Sequence, residues 1–212
     1  QLIEKVNTLS QKSQGKSGVS SEITVQSWRK FKRLLNKSVN NDDMFAPRVA
    51  YNNSECRLAD ELKQIKPGDV KVIDIAKLSE DKQAFVFGDA LKTIYRLKLG
   101  EYEGVNPPSK IIIFIDELNK YASKDAPKNS PLLRAILDVT ERGRSLGVIM
   151  FGAEQFRSGI NARASGNCAA HAYGRTNSIE ASSKDYSHFP ETYKNILMRL
   201  EQGEYLIQSP VF

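Results

Sequence analysis

Five consecutive apolar residues, Ile111-Ile112-Ile113-Phe114-Ile115, stop abruptly at two carboxylates, Asp116-Glu117. An apolar run of that length, cut off by polar residues, fits a strand buried on both faces, as in parallel sheets covered by helices. The flanking sequence agrees with such a sheet. Val70 to Ile75, Gly147 to Gly152, Ala169 to Gly174 and Glu204 to Gln208 read as further strands, and Arg48 to Tyr51 as a short one. Helical patterns lie between them at Leu58–Ile65, at Ser79 to Leu99 with Ser79 as cap, at Pro131 to Ser145, at Gln155–Ala164 and at Tyr193–Leu200. Strands alternating with helices imply βαβ crossovers and a parallel sheet. The expected fold class is α/β.

The first forty residues follow a different grammar. Leu2, Val6 and Leu9 recur at helical spacing, and Ser10 to Ser21 is a Ser/Gly/Gln/Lys-rich linker. A second helix carries Val25, Trp28, Phe31 and Leu35 on one face and Arg29, Lys30, Lys32 and Arg33 around the rest, ending near Asn40 to Asp43. Its Trp28 and Phe31 lie on the apolar stripe and read as core. Residues 1–40 hold eight Lys or Arg against Glu4 and Glu22, so they carry the whole net charge of +6. A basic helical appendage over residues 1–44 and a neutral core over 45–212 are expected, and the charge points to a polyanionic partner.

With 212 residues, 40% of them hydrophobic, the chain can bury a core without disulfides. Its longest apolar run falls far short of the roughly 20 residues a membrane span needs. Cys56 and Cys168, with His171 and His188, stand at no metal-ligand spacing, which argues against zinc and for a reducing, cytoplasmic setting.

Four motifs carry chemistry. Asp116-Glu117 closes a strand at the sheet edge where α/β folds bind ligands. There an aspartate can hold Mg²⁺ against nucleotide phosphates, and a glutamate can deprotonate an attacking water. In Glu141-Arg142-Gly143-Arg144-Ser145-Leu146-Gly147, two arginines end a helix; they either complement its dipole or reach a neighbouring subunit's phosphates. Phe151-Gly152-Ala153-Glu154-Gln155 places an amide after a strand, suited to sensing a γ-phosphate or positioning water. Tyr173-Gly174-Arg175-Thr176-Asn177 brings a glycine and a cation to the next strand's end.

In this order, the four motifs resemble the HerA/FtsK group of ring-forming ATPases, HerA-like proteins most closely. The resemblance runs over about residues 68–212 and includes Val72-Ile73-Asp74-Ile75, Asn167-Cys168 and Leu200-Glu201-Gln202-Gly203-Glu204. It implies a RecA-like, P-loop NTPase (ASCE) sheet flanked by helices, an ATP-hydrolysing motor and a DNA translocase or helicase. It makes Asp116 the Walker-B ligand of Mg²⁺ and Glu117 the catalytic base. Arg142 or Arg144 becomes a finger acting in trans, and Gln155 a sensor, with Asp116, Gln155 and Arg175 at the ATP. The implied partners are double-stranded DNA, further copies in a six-membered ring, and a NurA-like nuclease or other effector in DNA processing or phage defence. No membrane is implied. Loop cations Lys124, Lys128, Arg157 and Arg163 are the candidate handholds on DNA phosphates.

One element of the pattern is missing. No Gly-x-x-x-x-Gly-Lys-Ser/Thr occurs in the chain. Gln14-Gly15-Lys16-Ser17 has Ser10 where the first glycine belongs and no strand before it, so it makes no phosphate nest. The expectation is therefore an incomplete core that begins downstream of the phosphate loop, inactive by itself. Two other readings share the residues: a conjugation or secretion coupling ATPase of the TraG type, and a non-catalytic α/β interaction module.

Overall fold

The computed structural model describes residues 4–6, 8, 25–39, 43–45 and 55–210. They group into two compact units, residues 1–56 and 57–212, with the boundary after Cys56, later in the chain than the charge pattern suggests. The linker at Ser10 to Ser21, the Gly15-Lys16-Ser17 triplet and the expected strand Arg48–Tyr51 lie outside the described residues.

In the first unit, helix α1 spans Val25–Val39. Trp28 and Phe31 meet edge to face at 6.2 Å. On the stripe, Trp28 and Leu35 are half-buried and Phe31 is 45% exposed.

The second unit is mixed α/β. Its elements in order are α2 (Leu58–Lys63), α3 (Glu80–Lys98), β1 (Ile111–Ile115), α4 (Leu118–Tyr121), α5 (Pro131–Leu146) and β2 (Val148–Gly152). α6 (Ala162–Gly166), β3 (His171–Tyr173), α7 (Ser178–Ala181), α8 (Glu191–Arg199) and β4 (Leu206–Gln208) follow. Two helices dominate the core. α3 buries Ala90, Leu91, Ile94 and Leu97, a spacing that lines one helical face. α5 begins at Ser130, whose hydroxyl accepts the Leu133 N–H at 3.3 Å, with Pro131 at its first position. It ends at Gly147, whose φ of 72° glycine adopts without strain. Fully buried side chains such as Leu91, Leu97 and Ile136 each contribute about 1.5–3 kcal/mol.

β1 and β2 pair in parallel, Ile111 opposite Val148 through Ile115 opposite Gly152, with α5 in the crossover. Ile111, Ile115 and Val148 point into the core beside Leu133 and Ile136. Lys98 anchors the approach to β1 by donating to the Pro108 and Ser109 carbonyls at 2.7 and 2.8 Å.

Several expectations are corrected. The apolar run of β1 is buried on one face only: Phe114 is 77% exposed, and Ile112, Ile149 and Phe151 share its side. Phe114 and Phe151 stack on each other at 5.1 Å, and nothing among the described residues covers them. Val70 to Ile75 forms no strand; Val72 is 86% exposed, and the segment lacks the ladder partners that would make it one. The helix expected over Gln155–Ala164 breaks into a 3-10 turn at Arg157–Gly159 and α6, capped by the Asn161 side chain. The sheet is not wholly parallel either. β3 pairs antiparallel with β4 in a separate two-stranded ladder. A small cluster of Tyr173, Tyr186 and Leu197, backed by Phe189, Leu200 and Leu206, supports that ladder. Among the described residues no helix is long and apolar enough to cross a membrane.

Candidate active site

The carboxylates stand where the strand ends. Asp116 and Glu117 are both exposed, directly after the last core residue of β1, Ile115. Asp116 Oδ1 accepts the Glu117 N–H at 3.0 Å, and its other oxygen has no protein partner among the described residues. Glu117 has φ 54° and ψ 50°, and it is the one non-glycine residue at positive φ among the described residues. An L-residue there costs roughly 1–2 kcal/mol, because Cβ crowds the following carbonyl. What holds it is the hydrogen bonding on both sides. Ala153 N–H donates to Ile115 O at 2.8 Å, and Leu118 N–H donates to Ala153 O at 2.9 Å. The chain leaving β1 is thereby stitched to the chain leaving β2. Gly152 makes the stitch feasible, since a Cβ there would lie 2.4 Å from Leu118 Cδ2.

The two connections stay together farther out. Lys124 N–H donates to Gly159 O at 2.9 Å, Asn161 N–H donates to Ala122 O at 2.8 Å, and Ser123 bridges Ile160 antiparallel. Gln155 lies in the joined segment and is exposed, so the structure brings the acidic pair and the amide onto adjoining, hydrogen-bonded connections. Arg142 and Arg144 are exposed near the end of α5, Arg144 in its last turn, and have no ion-pair partner among the described residues. Arg175 is exposed on the β3–α7 connection.

The four loop cations divide into two pairs. Lys124 and Lys128 are exposed and have no side-chain partner among the described residues. Arg157 donates to Tyr173 Oη at 2.7 Å and lies 5.3 Å from its ring centre, and Arg163 is paired with Glu141. Both arginines are therefore engaged within the fold.

Three residues near these connections were not among the candidates drawn from the sequence, although Glu154 lies in the motif before Gln155 and Glu180 completes an Asn177-x-x-Glu180 helix-start pattern. Glu180, buried on α7, accepts the Ser158 N–H at 2.8 Å and the Ser158 hydroxyl at 2.6 Å. Asn119 Oδ1 is buried without a donor among the described residues. Glu154 remains exposed as a residue, yet loss of hydration raises its carboxyl to about 7 against the opposing pull of Arg157, with Glu180 adding to the rise. Burial also raises the Cys168 thiol and the Tyr173 phenol, and it lowers His171. The thiol is thus poorly disposed to act as a nucleophile.

No protein-family model and no curated protein matches the chain.

Proposed function

We propose that residues 57–212 belong to the RecA-like motor domain of a HerA-like, ATP-driven translocase of double-stranded DNA. The observation that carries this reading is Glu117, a left-handed glutamate fixed by hydrogen bonds at the carboxyl end of a parallel strand. Strain of this kind clusters where geometry serves chemistry, and that edge of an α/β sheet is its ligand edge. Among the described residues β2 and β3 do not pair with each other, which accords with a RecA-like sheet in which the phosphate-loop strand runs between them.

The donor set fits Mg²⁺, which keeps several waters and takes phosphate oxygens, so that one exposed carboxylate suffices. Asp116 would hold the ion directly or through water. ATP supplies the phosphoryl group; this chain supplies the proton acceptor, Glu117, and an orienting amide, Gln155. Arg175 adds a cation at the neighbouring strand end. Arg142 and Arg144, without an ion-pair partner among the described residues, are the candidates for spreading positive charge over a neighbouring subunit's transferring oxygens in a six-membered ring. With Arg157 and Arg163 engaged, contact with DNA phosphates falls to Lys124 and Lys128. A NurA-like nuclease or other effector, in the cytoplasm, completes the proposal.

The test is made in the complete protein. Glu117→Gln should lower ATP hydrolysis by about 10³-fold while ATP still binds, and Arg142→Ala with Arg144→Ala should do likewise. Mixed rings of the two variants should recover part of the rate, because each supplies what the other lacks. Undiminished hydrolysis in Glu117→Gln refutes the catalytic reading and leaves the interaction module. Absence of recovery on mixing refutes action across subunits.

A further inference from the structure

We propose that Glu180 is a positioning residue that holds the Gln155 segment, and through it the acidic pair, in register with the β3–α7 connection that carries Arg175. The inference rests on the ATPase reading above.

The helix-start pattern Asn177-x-x-Glu180 normally closes on itself: the first residue's side chain takes the N–H of the fourth, and the fourth's carboxylate returns to the N–H of the first. Only half of that exchange is made here. Asn177 Oδ1 accepts the Glu180 N–H at 2.8 Å. The Glu180 carboxylate turns instead to a residue 22 positions earlier, taking the Ser158 N–H on one oxygen and the Ser158 hydroxyl on the other. The residue is 7% exposed, and among the described residues no salt bridge reaches it. A buried carboxyl group is costly unless it is hydrogen-bonded, and both oxygens of Glu180 are bonded to Ser158. The fold accepts that cost to fasten one short segment.

Ser158 lies midway along the Ala153–Asn161 segment. One end is bonded to Ile115 and Leu118 around Glu117, and the other to Ala122 and Lys124 beyond α4. A continuous hydrogen-bonded path therefore runs from α7 through Ser158 and Gly159 to Lys124 and back along α4 to Glu117. A second tether runs parallel to it, from Arg157 to Tyr173 Oη and on from that hydroxyl to Gln208 Oε1 at 3.2 Å. The β3–α7 connection is thus coupled to the acidic strand end through the Glu180 side chain and, beyond Ser158, through backbone hydrogen bonds.

The experiment uses the complete protein. Glu180→Ala should lower kcat about tenfold with the KM for ATP unchanged within about twofold, since catalytic alignment is lost and not binding. Glu180→Gln should recover most of the rate, because its amide still offers an acceptor to the Ser158 N–H and a donor to the Ser158 oxygen. Adding Ser158→Ala to Glu180→Ala should cost nothing further, as expected of two residues acting as one unit. Hydrogen exchange gives a readout independent of turnover: Glu180→Ala should speed exchange in both 153–161 and 118–124. Full kcat in Glu180→Ala, or faster exchange confined to α7, overturns the proposal. If Glu180→Ala fails to fold, Ser158→Ala carries the same two measurements. Glu117→Gln run alongside separates the failures. Lost turnover there with full kcat in Glu180→Ala removes the positioning role alone, whereas retained turnover there removes the ATPase reading and this role with it.

Discussion

Substitutions at Glu117 should separate backbone strain from side-chain function. Its φ of 54° places it in the left-handed region, at a helix start where its side chain makes no capping bond. Among the described residues the side chain's one polar contact is an exposed pair with Lys120 at 3.3 Å, worth about 0–0.5 kcal/mol. Glycine removes the roughly 1–2 kcal/mol of left-handed strain and returns about 0.5–1 kcal/mol as greater entropy loss on folding. Alanine keeps the strain and loses only the pair. Glu117→Gly should therefore exceed Glu117→Ala in stability by about 0.5–1 kcal/mol. Glu117→Asn, tolerant of this region, should fall between them, and Glu117→Val should be the least stable. Urea unfolding resolves the series. With m near 2 kcal/mol/M, glycine and alanine midpoints should differ by about 0.3–0.5 M at equal m. Equal midpoints, or alanine above glycine, would mean that the left-handed strain is no larger than glycine's entropy cost of about 0.5–1 kcal/mol, and the strain argument for the site would fall. The glycine variant should also be the more stable and the catalytically dead one, the trade-off expected where function maintains a strained residue.

Gly147→Ala should cost at least about 2 kcal/mol, because its φ is 72° and the new methyl would sit 2.2 Å from the Ser109 carbonyl oxygen. An unchanged thermal midpoint would refute that close approach. Glu154 gives the fold a pH dependence. Its folded pKa of about 7 lies above the ordinary 4.5, so the native state binds the extra proton and stability falls as pH rises between those values. Glu154→Gln should flatten that slope in urea midpoints measured from pH 4.5 to 8, and a slope unaltered by the substitution would place the titration elsewhere.

What the sequence revealed follows the strength of its periodic signals. α3 and α5 were legible because their apolar positions recur every three or four residues and their ends carry Ser130, Pro131 and Gly147. β1 was legible from its run of apolar residues, and Asp116 and Glu117 from their place at its end. The same run misled on burial, since Ile112 and Phe114 face a side that the described residues leave bare. Val70 to Ile75 has strand composition without a partner, and a strand exists only in a ladder. The Glu180–Ser158 clamp was illegible for a different reason. Its sequence mark, Asn177-x-x-Glu180, announces a capping box, and only the three-dimensional path shows the carboxylate leaving its own helix.

The bare side of the β1–β2 pair also changes how the folded chain will look in a common assay. Fluorescent dyes that brighten on apolar surface are read as a sign of a loosened, molten core. Here Ile112, Phe114, Ile149 and Phe151 present such a surface while Leu91, Leu97 and Ile136 beneath them stay sealed. A bright dye signal from this chain is therefore compatible with fixed packing. The spectroscopic sign of order is near-ultraviolet circular dichroism from ring pairs such as Phe87–Tyr121, stacked at 4.4 Å, and Tyr173–Phe189, edge-on at 5.0 Å. Where no other segment covers that face, selecting preparations for low dye binding would discard the native form.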